Sequence, residues 1–137
     1  MPKDKLRAFL IEARSQYHTE PPYHTFWHAV DVMQACATFM HMPSIKAAMP
    51  SIDRFAALIA AVLHDIDHPG YTSAFLALEG HPLVAKHGER GTLEKHHVET
   101  ALKMLATDRF NILENCTDEQ ATTIKATIEL TILATDM

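Results

Sequence analysis

Phe55-Ala56-Ala57-Leu58-Ile59-Ala60-Ala61-Val62-Leu63-His64-Asp65-Ile66-Asp67-His68-Pro69-Gly70 is the stretch from which the rest of the chain is read. Nine uncharged apolar residues run from Phe55 to Leu63. A bilayer span needs about 20, so the run predicts a buried core helix over 52–66, central to the fold because its apolar residues cover nearly every side. Ser51 is a candidate N-cap, and Pro69-Gly70 ends the helix. The buried end then carries His64, Asp65, Asp67 and His68. Ionisable groups there must be paired or metal-bound.

Outward from this helix the pattern stays helical, and alternating strand patterns are scarce. Leu6, Phe9, Leu10 and Ala13 form one stripe, which predicts a helix over 3–17; Pro21-Pro22 interrupt it. A second helix is expected from Phe26 to about Met42, with Val32, Ala35, Cys36, Phe39 and His28 on its inward face. Pro43 and Pro50 bracket a short connection. A short helix is expected at 72–78 and a loop with at most one turn at 81–91. Another helix is expected over 92–106, with His97, Ala101, Met104 and Leu105 on one face. Thr117-x-x-Gln120 is a capping-box signature for a last helix over 118–135. The fold class is all-α, and the last helix reaches Thr135-Asp136-Met137 with no stop signal, so the chain reads as a truncated piece of a longer domain.

The 137 residues suffice for one domain with a core, and 47% are hydrophobic, which excludes a disordered chain. Net charge is -5 and no basic block occurs, which argues against nucleic acid as a partner. No signal peptide or membrane span is visible. Cys36 and Cys116 are too few for a disulfide framework and read as reduced thiols, so a cytoplasmic location is expected. Ten histidines against seven lysines is the anomaly of the composition.

His64-Asp65 offers a neutral nitrogen and an anionic oxygen on adjacent residues. His28 would add a second imidazole, giving a set suited to zinc, manganese or iron. His24, four residues before His28, is placed to donate a proton to a departing alkoxide. Tyr23 is expected to pack rather than react. His96 and His97 are consecutive and cannot both face one pocket: His97 follows the apolar stripe and reads as a donor supporting the site, His96 as exposed or structural. Glu94 could orient a neighbouring imidazole, although a surface glutamate is the commoner case. His18, His41, His81 and His87 lack partners in the pattern and read as surface residues. No glycine-rich phosphate cradle, G-x-S-x-G elbow or C-x-x-C pair occurs.

Four stretches together resemble the class I 3′,5′-cyclic nucleotide phosphodiesterases, within the HD-type metal phosphohydrolases. They are Tyr23-His24-x-x-x-His28-Ala29, His64-Asp65-x-Asp67-His68-Pro69-Gly70, Leu93-Glu94-x-His96-His97 and Leu133-Ala134-Thr135-Asp136-Met137, and they cover 23–137. The resemblance implies a partial catalytic domain over 1–137 with two divalent metals. It implies that His28, His64 and Asp65 bind zinc and that Asp65 bridges to magnesium or manganese. It further implies that His68, His97 and Thr135 hold waters around the second ion. His24 would be the proton donor, and Tyr23 and Met137 would approach the nucleotide. The substrate would be cyclic AMP, cyclic GMP or both, opened to the 5′-monophosphate in signal transduction. Where the family usually has Asn, this chain has Thr25 and Ser73. A further metal-binding Asp and a purine-recognising Gln have no counterpart among these residues. Two readings remain beside hydrolysis of cyclic nucleotides: an HD phosphohydrolase of another phosphate ester, and a non-catalytic fragment or paralogue that binds metal or a partner. Oligomeric state is not legible.

Overall fold

Helix α4, Ser51–Leu63, lies at the centre of the fold, as its all-round apolar surface requires. A computed structural model of the chain describes residues 2–136. Ala56, Ile59, Ala60, Ala61, Val62 and Leu63 of α4 are buried. Around it pack α2 (Phe26–Met40), α7 (Thr92–Ala106) and α8 (Asp118–Leu133). Helix α1 (Lys3–Ser15) buries Phe9 and Ala13 and touches a 3-10 turn at Asp108–Phe110. Helices α3 (Pro43–Ala48), α5 (Ser73–Leu78) and α6 (Pro82–His87) are one-turn to two-turn connectors. No strand occurs among the described residues.

Helix α8 shows how sequence becomes packing here. Thr117 accepts from the Gln120 backbone N–H, and the Gln120 side chain takes the Thr117 N–H, the capping box read from the sequence. From that start Ile124, Ile128 and Ile132 recur every four residues and are buried on one face. Burying one such side chain is worth about 2 kcal/mol, and the stripe holds α8 against α4.

Several expectations need correction. Pro43–Ala48 is helical rather than a bare connection, with proline in its first turn, where a missing N–H costs nothing. The segment expected as a loop at 81–91 contains α6, whose N-cap is the His81 ring accepting from Leu83 N–H. Ser51 is not the cap of α4: Pro50 occupies that position and no side chain caps the helix. Ala35 and Phe39 of α2 face outward, because the buried residue of α2 is Ala29 and the helix presents only one edge to α4. Trp27, Phe39, Leu78 and Leu130 are large apolar residues left exposed. No described helix is long and apolar enough to cross a membrane. Cys36 and Cys116 are not bonded to each other. Met137 lies outside the described residues.

Candidate metal centre

At the end of α4 the chain turns without a long loop: Ile66 N–H bonds to Leu63 O and His68 N–H to Asp65 O. This tight turn brings His64, Asp65 and His68 to one side. The Tyr23–Thr25 segment and the first turn of α2 supply His24 and His28, and α7 supplies His97. Gly70 adopts φ 84°, and a Cβ there would meet Pro21 Cγ at 3.2 Å, so glycine lets the turn sit against the Pro21 segment that carries Tyr23 and His24.

Asp65 is the hub. Its Oδ2 lies 3.1 Å from His64 Nε2 and 3.5 Å from His28 Nε2, while its Oδ1 faces His97 Nε2 at 4.0 Å. Two donor groups share it, each with ligand atoms within 4.8 Å of one another: His28, His64 and Asp65, and Asp65, His68 and His97. Atoms held at about 2.0–2.1 Å from a tetrahedral zinc are roughly 3.3 Å apart, and the spacings to Asp65 Oδ2 straddle that value.

Ring tautomers follow from the hydrogen bonds. His64 Nδ1 donates to Ala61 O at 2.9 Å and His97 Nδ1 donates to Ile66 O at 2.6 Å. In its neutral form each therefore turns an Nε2 lone pair toward the Asp65 carboxylate, whereas a proton on Nε2 makes that atom a donor to it. A lone pair facing a carboxylate repels it unless a proton or a metal ion lies between them, and a donor set of two imidazoles and a carboxylate suits a divalent ion. His68 is the opposite case: its Nδ1 accepts from Gly70 N–H at 2.9 Å, so its Nε2 carries the proton and is a donor.

The His64 imidazole and the Asp65 carboxylate stabilise each other's charged forms. Burial works to raise the Asp65 pKa, but the hydrogen bond and charge of His64 outweigh it and hold the carboxyl at about 2. Burial works to lower His64, and the hydrogen bond and charge of Asp65 leave it raised. Burial first, then the charge of His64, lowers His28. His68 and His97 are both pushed down to about 4, burial being the main cause. They stay neutral at physiological pH, the form that holds water or metal.

A cavity of about 810 Å³ opens over the cluster, lined among others by Tyr23, His24, Val32, Tyr71, Glu94 and Thr135. The His24 ring stacks on His68 with centroids 3.9 Å apart. Tyr23 packs on His28 at 4.4 Å between centroids and stays exposed. The Thr135 hydroxyl donates to Ile132 O at 2.7 Å and its residue is exposed at the cavity wall.

A model of the 3'5'-cyclic nucleotide phosphodiesterase family matches residues 23–137, the same span the four stretches cover. The chain belongs to this family. It is 39% identical over 133 residues to the mouse (Mus musculus) high affinity cAMP-specific and IBMX-insensitive 3',5'-cyclic phosphodiesterase 8A, covering 96% of this chain and 16% of that protein. It is 31% identical over 137 residues to mouse 3',5'-cyclic-AMP phosphodiesterase 4C, covering 100% of this chain and 20% of that protein. Its fold superposes with a TM-score of 0.94 on the phosphodiesterase domain of Salpingoeca rosetta rhodopsin phosphodiesterase, at 31% identity, covering 100% of this chain and 41% of that one. The chain thus spans about one fifth or less of the length of these curated relatives.

Several residues matter more than their sequence pattern indicates. His96 is neither free nor exposed: its Nε2 donates to Asp67 Oδ2 at 2.8 Å. His18, expected as a bare surface residue, donates to Asp67 Oδ1 at 2.8 Å. His41 bonds Ala37 O, and His87 sits 3.4 Å from Glu99 with its ring mostly covered. Glu94 is not a solvated surface acid, since its Oε2 is buried without a hydrogen-bond partner and the residue lines the cavity. Apart from the His41 contact one turn away, these partners lie in other segments of the chain, where helical periodicity carries no signal.

Proposed function

We propose that this phosphodiesterase chain forms the metal-binding part of a larger catalytic domain that hydrolyses 3′,5′-cyclic nucleotides, cyclic AMP in the first place, to the 5′-monophosphate in signal transduction. The observation that carries the reading is the shared position of Asp65, whose two oxygens face two separate sets of imidazoles. The cyclic AMP assignment rests on the names of the relatives; cyclic GMP is the second candidate. A cytoplasmic location, consistent with two unbonded thiols, belongs to the same proposal.

His28, His64 and Asp65 would hold a zinc-like ion, and Asp65 would reach a magnesium or manganese ion with His68, His97 and Thr135 around its waters. Bound there, divalent cations neutralise phosphate charge and make water nucleophilic at neutral pH. His68 contributes an Nε2–H donor and His97 an Nε2 acceptor, so the two rings can fix one water between them in a defined orientation. His24 stands at the cavity wall, stacked on neutral His68, and donates its proton to the leaving O3′. Tyr23 shields His28 and presents its exposed edge to the nucleotide.

The test is hydrolysis of cyclic AMP, cyclic GMP and a linear phosphate diester by the protein loaded with zinc and magnesium. Turnover of the cyclic substrates, lost in Asp65→Ala, supports the proposal. Equal or faster turnover of the linear ester favours another phosphohydrolase. Metal binding without any turnover favours a non-catalytic role.

A further inference from the structure

Asp67 sits between Asp65 and His68 and is the one non-glycine residue with positive φ, 58°, among the described residues. A side chain disfavours this left-handed conformation, although Asp tolerates it better than most. Three contacts over-determine it. Oδ1 takes a hydrogen bond from His18 Nε2 and Oδ2 one from His96 Nε2, each at 2.8 Å. The backbone N–H donates to Gln16 O at 3.1 Å. Asp67 thereby ties together the α1–α2 connection, the end of α4 and helix α7.

The peptide unit between Ile66 and Asp67 gives that clamp a consequence. Its N–H is the group bonded to Gln16, and its C=O is the acceptor for His97 Nδ1 at 2.6 Å. Rotation of this unit would withdraw the carbonyl from the His97 ring. His96 and His97 are neighbours on α7, so the residue that grips His96 also sets where His97 stands.

We infer that Asp67 is a positioning residue whose grip on His18 and His96 holds the left-handed turn, presents Ile66 O to His97, and so fixes the tautomer in which the His97 Nε2 lone pair faces Asp65. It acts on the second donor group, Asp65, His68 and His97, and not on the His28–His64 pair. The role in metal binding rests on the reading of the site as a two-ion centre; the tautomer does not.

The experiment records histidine ring nitrogen–proton NMR correlations on the metal-free protein, followed by zinc and manganese titration of the same samples. Wild type should show His97 as a single Nδ1–H tautomer. Asp67→Ala should show mixed tautomers and bind the second ion about tenfold more weakly, with zinc affinity changed less than about twofold. Asp67→Asn, which tolerates the left-handed turn and keeps one accepting oxygen, should recover part of the single-tautomer population lost in Asp67→Ala. If Asp67→Ala fails to fold by circular dichroism, His18→Ala and His96→Ala remove one arm of the clamp each and should shift the tautomer in the same direction. An unaltered Nδ1–H signal for His97 in the folded variants overturns the inference, as does an equal loss of both ions. A tautomer shift in a protein that binds no manganese supports the clamp and counts against the two-ion reading alone.

Discussion

The Nε2 atom of His64 lies 3.1 Å from Oδ2 of Asp65, its neighbour in sequence, while Nδ1 of the same ring donates to Ala61 O. The ring is thus oriented from behind by the last turn of α4 and points its Nε2 at a carboxylate that His28 also approaches. The arrangement is pre-formed by backbone geometry and needs a cation to balance it.

Asp65 faces both donor groups, so its loss should differ in kind from the loss of one imidazole. Asp65→Ala is expected to abolish binding of both ions. His64→Ala should reduce affinity for the first by on the order of 100-fold or more, a direct ligand counting for more than a supporting partner. His97→Ala should weaken only the second. Zinc and manganese titrations on the three variants check this order.

His24 contacts the cluster through its stack on His68 rather than through a lone pair aimed at Asp65. His24→Ala should therefore keep its metal content, measured by elemental analysis, and lose about 10²–10⁴-fold in turnover of cyclic AMP. Loss of metal in this variant would remove His24 from the proton-donor role.

The apo protein should lose stability toward acid. His68 and His97 are held at about 4 in the fold against 6.5 when free, so between those values the unfolded chain binds more protons and stability falls as pH drops. For His97, almost fully buried, the loss amounts to roughly 3 kcal/mol once pH is below about 4. His64, raised by Asp65, opposes this: its contribution is complete at low pH and fades as pH rises through its folded value. Asp65 matters only below its free value of 3.8, and its share is lost as pH falls through about 2. Urea unfolding across this range should give a midpoint that falls below pH 6.5, less steeply in His97→Phe.

Helix α8 packs on α4, and its Thr131 lines the cavity. Ile128 is fully buried in the core. Ile128→Ala should cost about 2–5 kcal/mol, read from the denaturation midpoint, without changing the order of metal affinities among site variants.

The parts of this fold that are legible in the sequence are those with local signals. The apolar run of α4, the Thr117–Gln120 capping box and the His64-Asp65 step each state their structure within a few residues. Helices α3 and α6 are hidden because each opens on a proline, Pro43 and Pro82, that reads as a break, whereas α5, equally short, has no proline at its start. His18 and His96 look partnerless in sequence because Asp67 lies 49 and 29 residues away from them. Helical periodicity puts Ala35 and Phe39 on the inward stripe, yet α2 meets α4 along a narrower edge than its apolar face suggests.

X-ray absorption at the zinc edge, on the chain loaded with a single equivalent of zinc, tests most directly whether His28, His64 and Asp65 share one ion. Two imidazole nitrogens and at least one carboxylate oxygen are expected at about 2.0–2.1 Å, with one imidazole fewer in His28→Ala. A wild-type spectrum lacking imidazole scattering, or one that His28→Ala leaves unchanged, would contradict the shared ion.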